Sequence, residues 1–289
     1  MSDTSSIRLI AFQGEPGAYS DLACRAVFPD AATMPSTTFE DAFAAVTDGR
    51  ADRAMIPIEN SVAGRVADVH HLMPLSGLHI VGEHFQRVNH QLLAPKGANL
   101  KGLKRVYSHI HALHQCRNLI RELGLEPVVH ADTAGAAAEV AARGDKQEAA
   151  LASSLAAEIY GLQVLRESAE DAAHNTTRML ILSRVAEVPD PGDGICITSM
   201  VFRVRNVPAA LYKAMGGFAT NGVNLTKLES YMVAGKFVAA QFYADAEGHP
   251  DERPMRLALE ELRFFTREMK ILGVYPASSF RTGQVADSD

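Results

Sequence analysis

Asn175-Thr176-Thr177-Arg178 gathers an amide, two hydroxyls and a guanidinium into four consecutive residues. An arginine can hold a carboxylate through two parallel hydrogen bonds. A threonine hydroxyl can donate a hydrogen bond, or a proton, to a departing oxygen. Three further segments place small polar groups where a strand gives way to a helix: Ile58-Glu59-Asn60-Ser61-Val62-Ala63-Gly64, Ser108-His109 through Gln115-Cys116, and Asp132-Thr133-Ala134. The carboxyl ends of strands are where α/β proteins bind ligands, and the helix that follows offers unpaired N–H groups to an anion. Together these segments suit a cradle for a small carboxylate. Each also has a plain structural use: Asn60, Ser61 and Asp132 as helix caps, the Thr-Arg pair as a strand edge with a surface ion pair.

Other chemistries lack their residues. Gly14-x-x-Gly17 is neither a dinucleotide fingerprint nor a phosphate loop, and there is no Gly-Lys-Ser/Thr, His-Glu-x-x-His or Gly-x-Ser-x-Gly. No cofactor is expected. His109, His111 and His114 crowd one helix start, but no acidic or cysteine ligand adjoins them, so capping or exposure is expected and no metal. Cys24, Cys116 and Cys196 are too far apart for a zinc cluster or a disulfide framework and read as reduced thiols. A net charge of −6 argues against a nucleic-acid partner. The polar N-terminus carries no secretion signal and no apolar run approaches a membrane span, which predicts a cytosolic protein with no membrane partner.

The elements that must position these groups follow from hydrophobic period and turn chemistry. With 289 residues, 47% hydrophobic, the chain can build one large or two ordinary domains. Residues 1–187 alternate short apolar runs with helical patterns, an α/β arrangement. Strands are expected at Ile7–Phe12, Ala54–Ile58, Leu78–Val81, Val88–Ala94, Leu103–Tyr107, Val128–Val129, Ala149–Ala152 and Met179–Leu182. Pro57 suggests that the second is an edge or a strand end. Helices are expected at Ser20–Phe28, from the capping-box-like Thr38 to Gly49, at Gly64–Met73, Ala112–Leu123, Ala134–Arg143 and Leu155–Tyr160. Residues 188–194 hold two prolines and two glycines and mark a linker. Beyond it the order is strand 195–205, helix 209–220, strand 225–234, strand 237–244, helix 251–266 and strand 269–275, the βαββαβ ferredoxin-like order. Residues 281–289 read as a tail.

In order, these motifs resemble those of prephenate dehydratase. The segments that carry the likeness are Phe12-Gln-Gly-Glu-Pro-Gly-Ala-Tyr-Ser20, Pro57-Ile-Glu-Asn-Ser61 with Gly64, Ser108-His109 with Gln115-Cys116, Asp132-Thr-Ala134, Tyr160-Gly-Leu162 and Asn175-Thr-Thr-Arg178. The part after the linker resembles an ACT regulatory domain, so the likeness spans nearly the whole chain. Two departures stand out. The family's Thr-Arg-Phe is Thr177-Arg178-Met179, and its Gly-Ala-Leu and Glu-Ser-Arg-Pro are Ala209-Ala210-Leu211 and Glu229-Ser230-Tyr231-Met232.

The resemblance implies a two-lobed catalytic domain over 1–187, similar to periplasmic binding proteins, with lobes of about 1–85 plus 165–187 and about 86–164 around a cleft. An ACT domain over 195–280 would follow. It implies decarboxylative dehydration of prephenate to phenylpyruvate in L-phenylalanine biosynthesis. Thr177 would assist the departing hydroxyl and Arg178 would anchor a carboxylate. Asn60, Gln115, Ser61, Gly64, Ser108 and Thr133 would orient substrate, with Glu59 and His109 behind them. L-phenylalanine would bind near Leu211, Asn221, Val223, Asn224, Leu225, Glu229 and Ser230, in a homodimer or homotetramer. The alternatives are an arogenate dehydratase and a non-catalytic amino-acid sensor on the same fold.

Overall fold

The computed structural model describes residues 7–172, 174–205, 207–232 and 239–281. In chain order the elements are β1 (Leu9–Gln13), α1 (Tyr19–Val27), β2 (Ala32–Ser36), α2 (Phe39–Thr47), β3 (Arg53–Asn60), β4 (Gly64–Arg65), α3 (Ala67–Leu72), β5 (His79–Arg87), β6 (Gln91–Ala94), β7 (Arg105–His109), α4 (Ile110–Gln115) and α5 (Arg117–Glu122). Then come β8 (Glu126–His130), α6 (Thr133–Arg143), β9 (Glu148–Ala152), α7 (Ser154–Tyr160), β10 (Gln163–Arg166) and β11 (Thr176–Ser183). The chain ends with β12 (Cys196–Val204), α8 (Ala210–Thr220), β13 (Leu225–Met232), β14 (Ala239–Glu247), α9 (Arg253–Phe265) and β15 (Thr266–Pro276).

The described chain falls into two compact units, one of residues 7–69 and 84–179, the other of 70–83 and 180–281. One sheet runs β2-β1-β3-β11-β5, with β4 paired to β3; the first unit holds all of it except residues 79–83 of β5 and 180–183 of β11. β1 lies parallel to both β2 and β3. Ile10, Phe12, Met55, Ile56 and Ile58 supply its fully buried apolar side chains. A second sheet runs β10-β6-β9-β7-β8, and both of its faces are covered. One cluster centres on Leu92, Val106, Leu119 and Leu151, the other on Leu93, Tyr107, Val140 and Ala150. Residues buried on both faces explain why these strands read as continuous apolar runs rather than alternations.

The second unit has one sheet, β13-β14-β12-β15, in the β-α-β-β-α-β order. One face buries Met200, Phe202, Phe242 and Ala244 beneath Phe218, Leu259 and Leu262 of α8 and α9. The residues between them point the other way. Among these, Ser199 bonds the Asp245 carboxylate and Tyr275 OH (2.8 Å), and Tyr243 OH donates to Ser199 at 3.2 Å. Residues 70–83 pack on this face. The His70 ring stands 5.1 Å from that of Tyr243, and Arg281 grips Glu83 through two hydrogen bonds, of 2.6 and 2.9 Å.

Several local expectations need correction. The periodic stretch 112–123 is two helices that break at Cys116 (φ −120°, ψ 29°). Asp171 satisfies the backbone groups that the break exposes. Its carboxylate accepts from the N–H groups of Arg117 (3.0 Å) and Asn118 (3.1 Å), while its own N–H donates to the Gln115 carbonyl at 2.6 Å. That partner lies more than 50 residues away in sequence, beyond the reach of a periodicity argument. Residues 64–65 turn back to pair with Asn60 and Glu59, so α3 starts only at Ala67. β3 is an interior strand. Pro57 sits past Met55, the last residue in register with β1, where its missing N–H breaks no bond of that pair. Thr176, Thr177 and Arg178 lie inside β11 rather than before it. β2 and β10 have no counterpart among the expected strands. Residues 233–238 and 282–289, which hold two expected strand ends and the tail, lie outside the described residues.

Candidate active site

A cleft of about 550 Å³ opens in the first unit. Its wall gathers Gln13 and Gly14 from the end of β1, Asn60 from the end of β3 and His109 from the end of β7. Ala131 and Asp132 come from the end of β8, and Thr177 and Met179 from β11. The carboxyl ends of β1, β3, β7 and β8 thus all reach it, because there the chain must turn and free its side chains. Two helices begin at the wall. α1 starts at Ala18 without a side-chain cap, and α6 starts at Thr133, capped by Asp132, whose Oδ1 accepts from Gly135 N–H at 2.6 Å.

The polar groups at the cleft form one chain of hydrogen bonds whose direction follows from a single fixed point. Asn60 Oδ1 accepts from the backbone N–H groups of Val62 (3.0 Å) and Ala63 (2.8 Å). This tight turn leaves Asn60 Nδ2 as a pure donor, and it donates to Asn175 Oδ1 at 2.8 Å and Thr177 Oγ1 at 2.9 Å. Asn175 Nδ2 therefore donates to Gln115 Oε1 at 2.9 Å. Gln115 Oε1 also lies 3.0 Å from His90 Nε2, so that nitrogen carries a hydrogen. His90 Nδ1 is left to accept, and Tyr19 OH stands 3.0 Å from it. Two consequences reach the cleft. Thr177 accepts from Asn60, which turns its own O–H away from Asn60. Gln115 commits its oxygen to two donors, which turns its N–H₂ outward.

Burial supports these assignments. His90 is almost wholly buried, which holds its imidazole below the ordinary 6.5, although the bond to Gln115 and the Glu170 carboxylate pull the other way. Tyr19 is raised well above its ordinary value, by burial first and by Glu170 second. Both groups are neutral near pH 7, as the donor and acceptor roles require. Burial likewise pushes the Cys116 thiol up, with Glu170 and Asp171 adding to it, so the nearest cysteine offers no thiolate nucleophile.

Asn60, Gly64, Gln115, Thr133 and Thr177 are brought together on the cleft wall. Arg178 is not on that wall. Strand alternation sends it to the opposite face from Thr177 and Met179, where it is 2% exposed and donates to Glu59 Oε1 at 3.1 Å. Ser61 Oγ donates to the His174 carbonyl at 2.7 Å and accepts from Thr176 N–H at 3.0 Å, which ties β3 to β11. Ser108 is fully buried and donates to the Leu151 carbonyl at 2.6 Å. His109 caps α4, with Nδ1 accepting from His111 N–H at 3.3 Å. Sequence reasoning assigned no role to Tyr19, His90, Asn175 or Arg65. Arg65 brings a guanidinium to the wall. Asn175 stands beside the Thr-Arg pair, so its spacing was a usable signal. Tyr19 and His90 reach the site only through folding.

In the second unit, Asn221 Nδ2 donates to the Gly217 carbonyl at 2.8 Å, and Asn224 Nδ2 to Glu247 at 3.1 Å. Val223 is buried, Leu211 and Leu225 pack on the apolar core beneath α8 and α9, and Glu229 pairs with Lys227 at 3.4 Å. Ser230 lies opposite Phe242 in the β13–β14 ladder. No helix among the described residues is long and apolar enough to cross a membrane.

The family model for prephenate dehydratase matches residues 10–187. A protein of Komagataeibacter europaeus described as a bifunctional N-acyl-homoserine lactone acylase/prephenate dehydratase is 57% identical over 95% of this chain and 98% of its own. The arogenate dehydratase/prephenate dehydratase 2 of Arabidopsis thaliana is 38% identical over 96% of this chain and 75% of its own. A crystal structure of the Arthrobacter aurescens prephenate dehydratase in complex with L-Phe superposes with a TM-score of 0.84 at 29% identity, covering 97% of this chain and 98% of that one. By its ordered motifs, its mixed α/β fold and these matches, the chain belongs to the prephenate dehydratase family.

Proposed function

We propose that this protein converts prephenate to phenylpyruvate and that the reaction takes place in the cleft around Thr177. The bond between the ring and its carboxylate breaks, and its electron pair moves through the diene to expel the hydroxyl from the far side of the ring. Carbon dioxide leaves, the departing hydroxyl takes up a proton from solvent and leaves as water, and aromatisation drives the step. The site then needs two things: a donor to the departing oxygen, and a grip that holds the substrate in line. One observation carries this reading. Asn60 fixes the Thr177 hydroxyl as an acceptor, which keeps its hydrogen off Asn60 and available to a substrate in the cleft that Thr177 lines.

Gln115 N–H₂ supplies a second neutral donor. Arg65, which lines the cleft, supplies the positive charge for a carboxylate. Neutral donors suit the carboxylate that must be lost, because a tight ion pair to it would stabilise the ground state. Arg178 serves the site from behind, by holding Glu59 and the end of β3.

The two sheets of the first unit form the two lobes of a periplasmic-binding-protein-like domain, and the β-α-β-β-α-β unit acts as an ACT module. That a relative from Arthrobacter aurescens was crystallised in complex with L-Phe supports L-phenylalanine as an effector; the proposed place for it is the helix-to-strand turn of Asn221, Val223, Asn224 and Leu225, with a homo-oligomer as the working assembly. The deciding assay follows phenylpyruvate formation by wild-type protein and by Thr177→Ala. A loss of kcat of about 100-fold or more in a folded variant supports the role; near wild-type kcat removes it.

Two specific likenesses favour additional readings. The plant relative is named for arogenate as well, so kcat/KM should be compared for prephenate and arogenate. The Komagataeibacter relative is named as an N-acyl-homoserine lactone acylase too, so release of the acyl group from such a lactone is the second assay.

A further inference from the structure

We propose that His90, held by Tyr19, is a positioning residue that keeps the Gln115 carboxamide turned with its N–H₂ toward the cleft; this rests on the reading of the cleft as the reaction site. The argument is one of donors and acceptors. Gln115 Oε1 receives Asn175 Nδ2 at 2.9 Å and His90 Nε2 at 3.0 Å. An amide oxygen with two donors resists the half-turn that would exchange its ends, since the turn would set N–H groups against N–H groups. With one donor lost, that resistance weakens and the carboxamide can rotate.

His90 donates from Nε2 because the Gln115 oxygen it faces can only accept, and in a neutral ring Nδ1 then carries no hydrogen. Tyr19 OH lies 3.0 Å from His90 Nδ1 and 2.9 Å from the Asn89 carbonyl. The single hydroxyl hydrogen is shared between these two acceptors, so Tyr19 braces the Nδ1 edge of the ring while the Gln115 oxygen sets the tautomer. The rings meet edge to face, with centroids 5.4 Å apart, and His90 is 3% exposed. The His90 backbone N–H donates to Glu170 at 2.8 Å, and the His90 carbonyl accepts from Ala169 N–H at 2.7 Å. The residue is thus held at both its main chain and its far ring nitrogen. Such a support behind a donor has a functional meaning because a donor displaced by about one ångström loses much of its value in a transition state.

The test compares two amides at position 90. His90→Gln can place an N–H near the former Nε2 and restore the bond to Gln115. His90→Asn reaches only as far as the former Nδ1; it can still accept from Tyr19 but falls short of Gln115. Expected is a kcat for prephenate within about threefold of wild type for His90→Gln and at least about tenfold lower for His90→Asn, with similar KM and similar thermal midpoints. Equal kcat for the two variants, or a loss that tracks the midpoint alone, overturns the proposal. ¹⁵N spectra of the wild-type imidazole rings give a readout that needs no substrate. A proton on Nε2 of His90 is expected, and a proton on Nδ1 overturns the proposal even if prephenate proves not to be the substrate. Absence of turnover by wild type would instead strike the reading of the cleft, leaving the tautomer as the judge of the His90 arrangement.

Discussion

Asn60 Nδ2 lies 2.9 Å from Thr177 Oγ1 and donates to it, because Asn60 Oδ1 is already committed to two backbone N–H groups. Asn60→Asp keeps the shape and the turn but replaces the donor by an acceptor. Thr177 would then turn its own hydrogen toward the new carboxylate, and Asn175 Oδ1 would face a carboxylate oxygen. The expected result is a folded protein whose kcat falls by about 100-fold. Kinetics at a temperature well below the thermal midpoint check this, and an unchanged kcat would show that the orientation of the Thr177 hydroxyl is not needed.

Arg178 and Glu59 make a separate prediction. The guanidinium is 2% exposed, while the Glu59 side chain is one-third exposed at 33% and keeps part of its hydration. Arg178→Met should lower stability by about 2 kcal/mol, the scale of a hydrogen bond to a charged group. It should act on KM less than on the denaturation midpoint. A KM raised about 100-fold at unchanged stability would place Arg178 on the substrate instead.

Gly273 marks a close approach of two backbones inside the second unit. A Cβ at this position would stand 2.0 Å from the Ile80 carbonyl oxygen and 2.7 Å from Ile80 Cβ. Backbone atoms cannot yield as a flexible side-chain end can. Gly273→Ala is therefore expected to destabilise by about 3 kcal/mol or more, an overpacking cost. Denaturant unfolding measures it, and a change below about 1 kcal/mol would mean that β15 and residues 79–81 are not so close.

His90 adds a pH dependence to stability. Its folded-state pKa lies below the ordinary 6.5, with burial as the main cause. As pH falls below about 6.5 the unfolded chain takes up a proton that folded His90 refuses, so stability falls. The loss continues down to the folded-state pKa and then levels off. Above about pH 6.5 the contribution is complete. Relative to His90→Gln, wild type should lose unfolding free energy as the pH is lowered from about 8 to 5, and a wild type that gains on the variant toward acid would contradict the neutral, buried imidazole.

Much of this protein could be read from its residues. Apolar period located β1, β7, β9 and the helices α1, α2, α6 and α7, and local chemistry placed their ends. Thr38 and Asp41 close a capping box, Asp132 and Ser153 cap α6 and α7, and Gly144 and Gly161 take the left-handed turn that ends them. Such features depend on neighbours within about four residues, which a sequence displays directly. The ordered polar motifs brought Asn60, Gln115, Thr133 and Thr177 to notice for the same reason.

Long-range pairing decided the rest. Asp171 split a helix that its own period makes continuous. β2 carries little apolar alternation and exists because β1 offers it an edge. The alternation of β11 separated Thr177 from Arg178, adjacent in sequence but set on opposite faces once β3 paired beside them. Tyr19, His90 and Asn175 entered the site because hydrogen bonds join residues 25 to 115 positions apart as readily as neighbours. The sequence by itself determined which groups could do the chemistry. Which way each donor points was decided only by the tertiary structure, since direction depends on what every partner's other atoms are already bonded to.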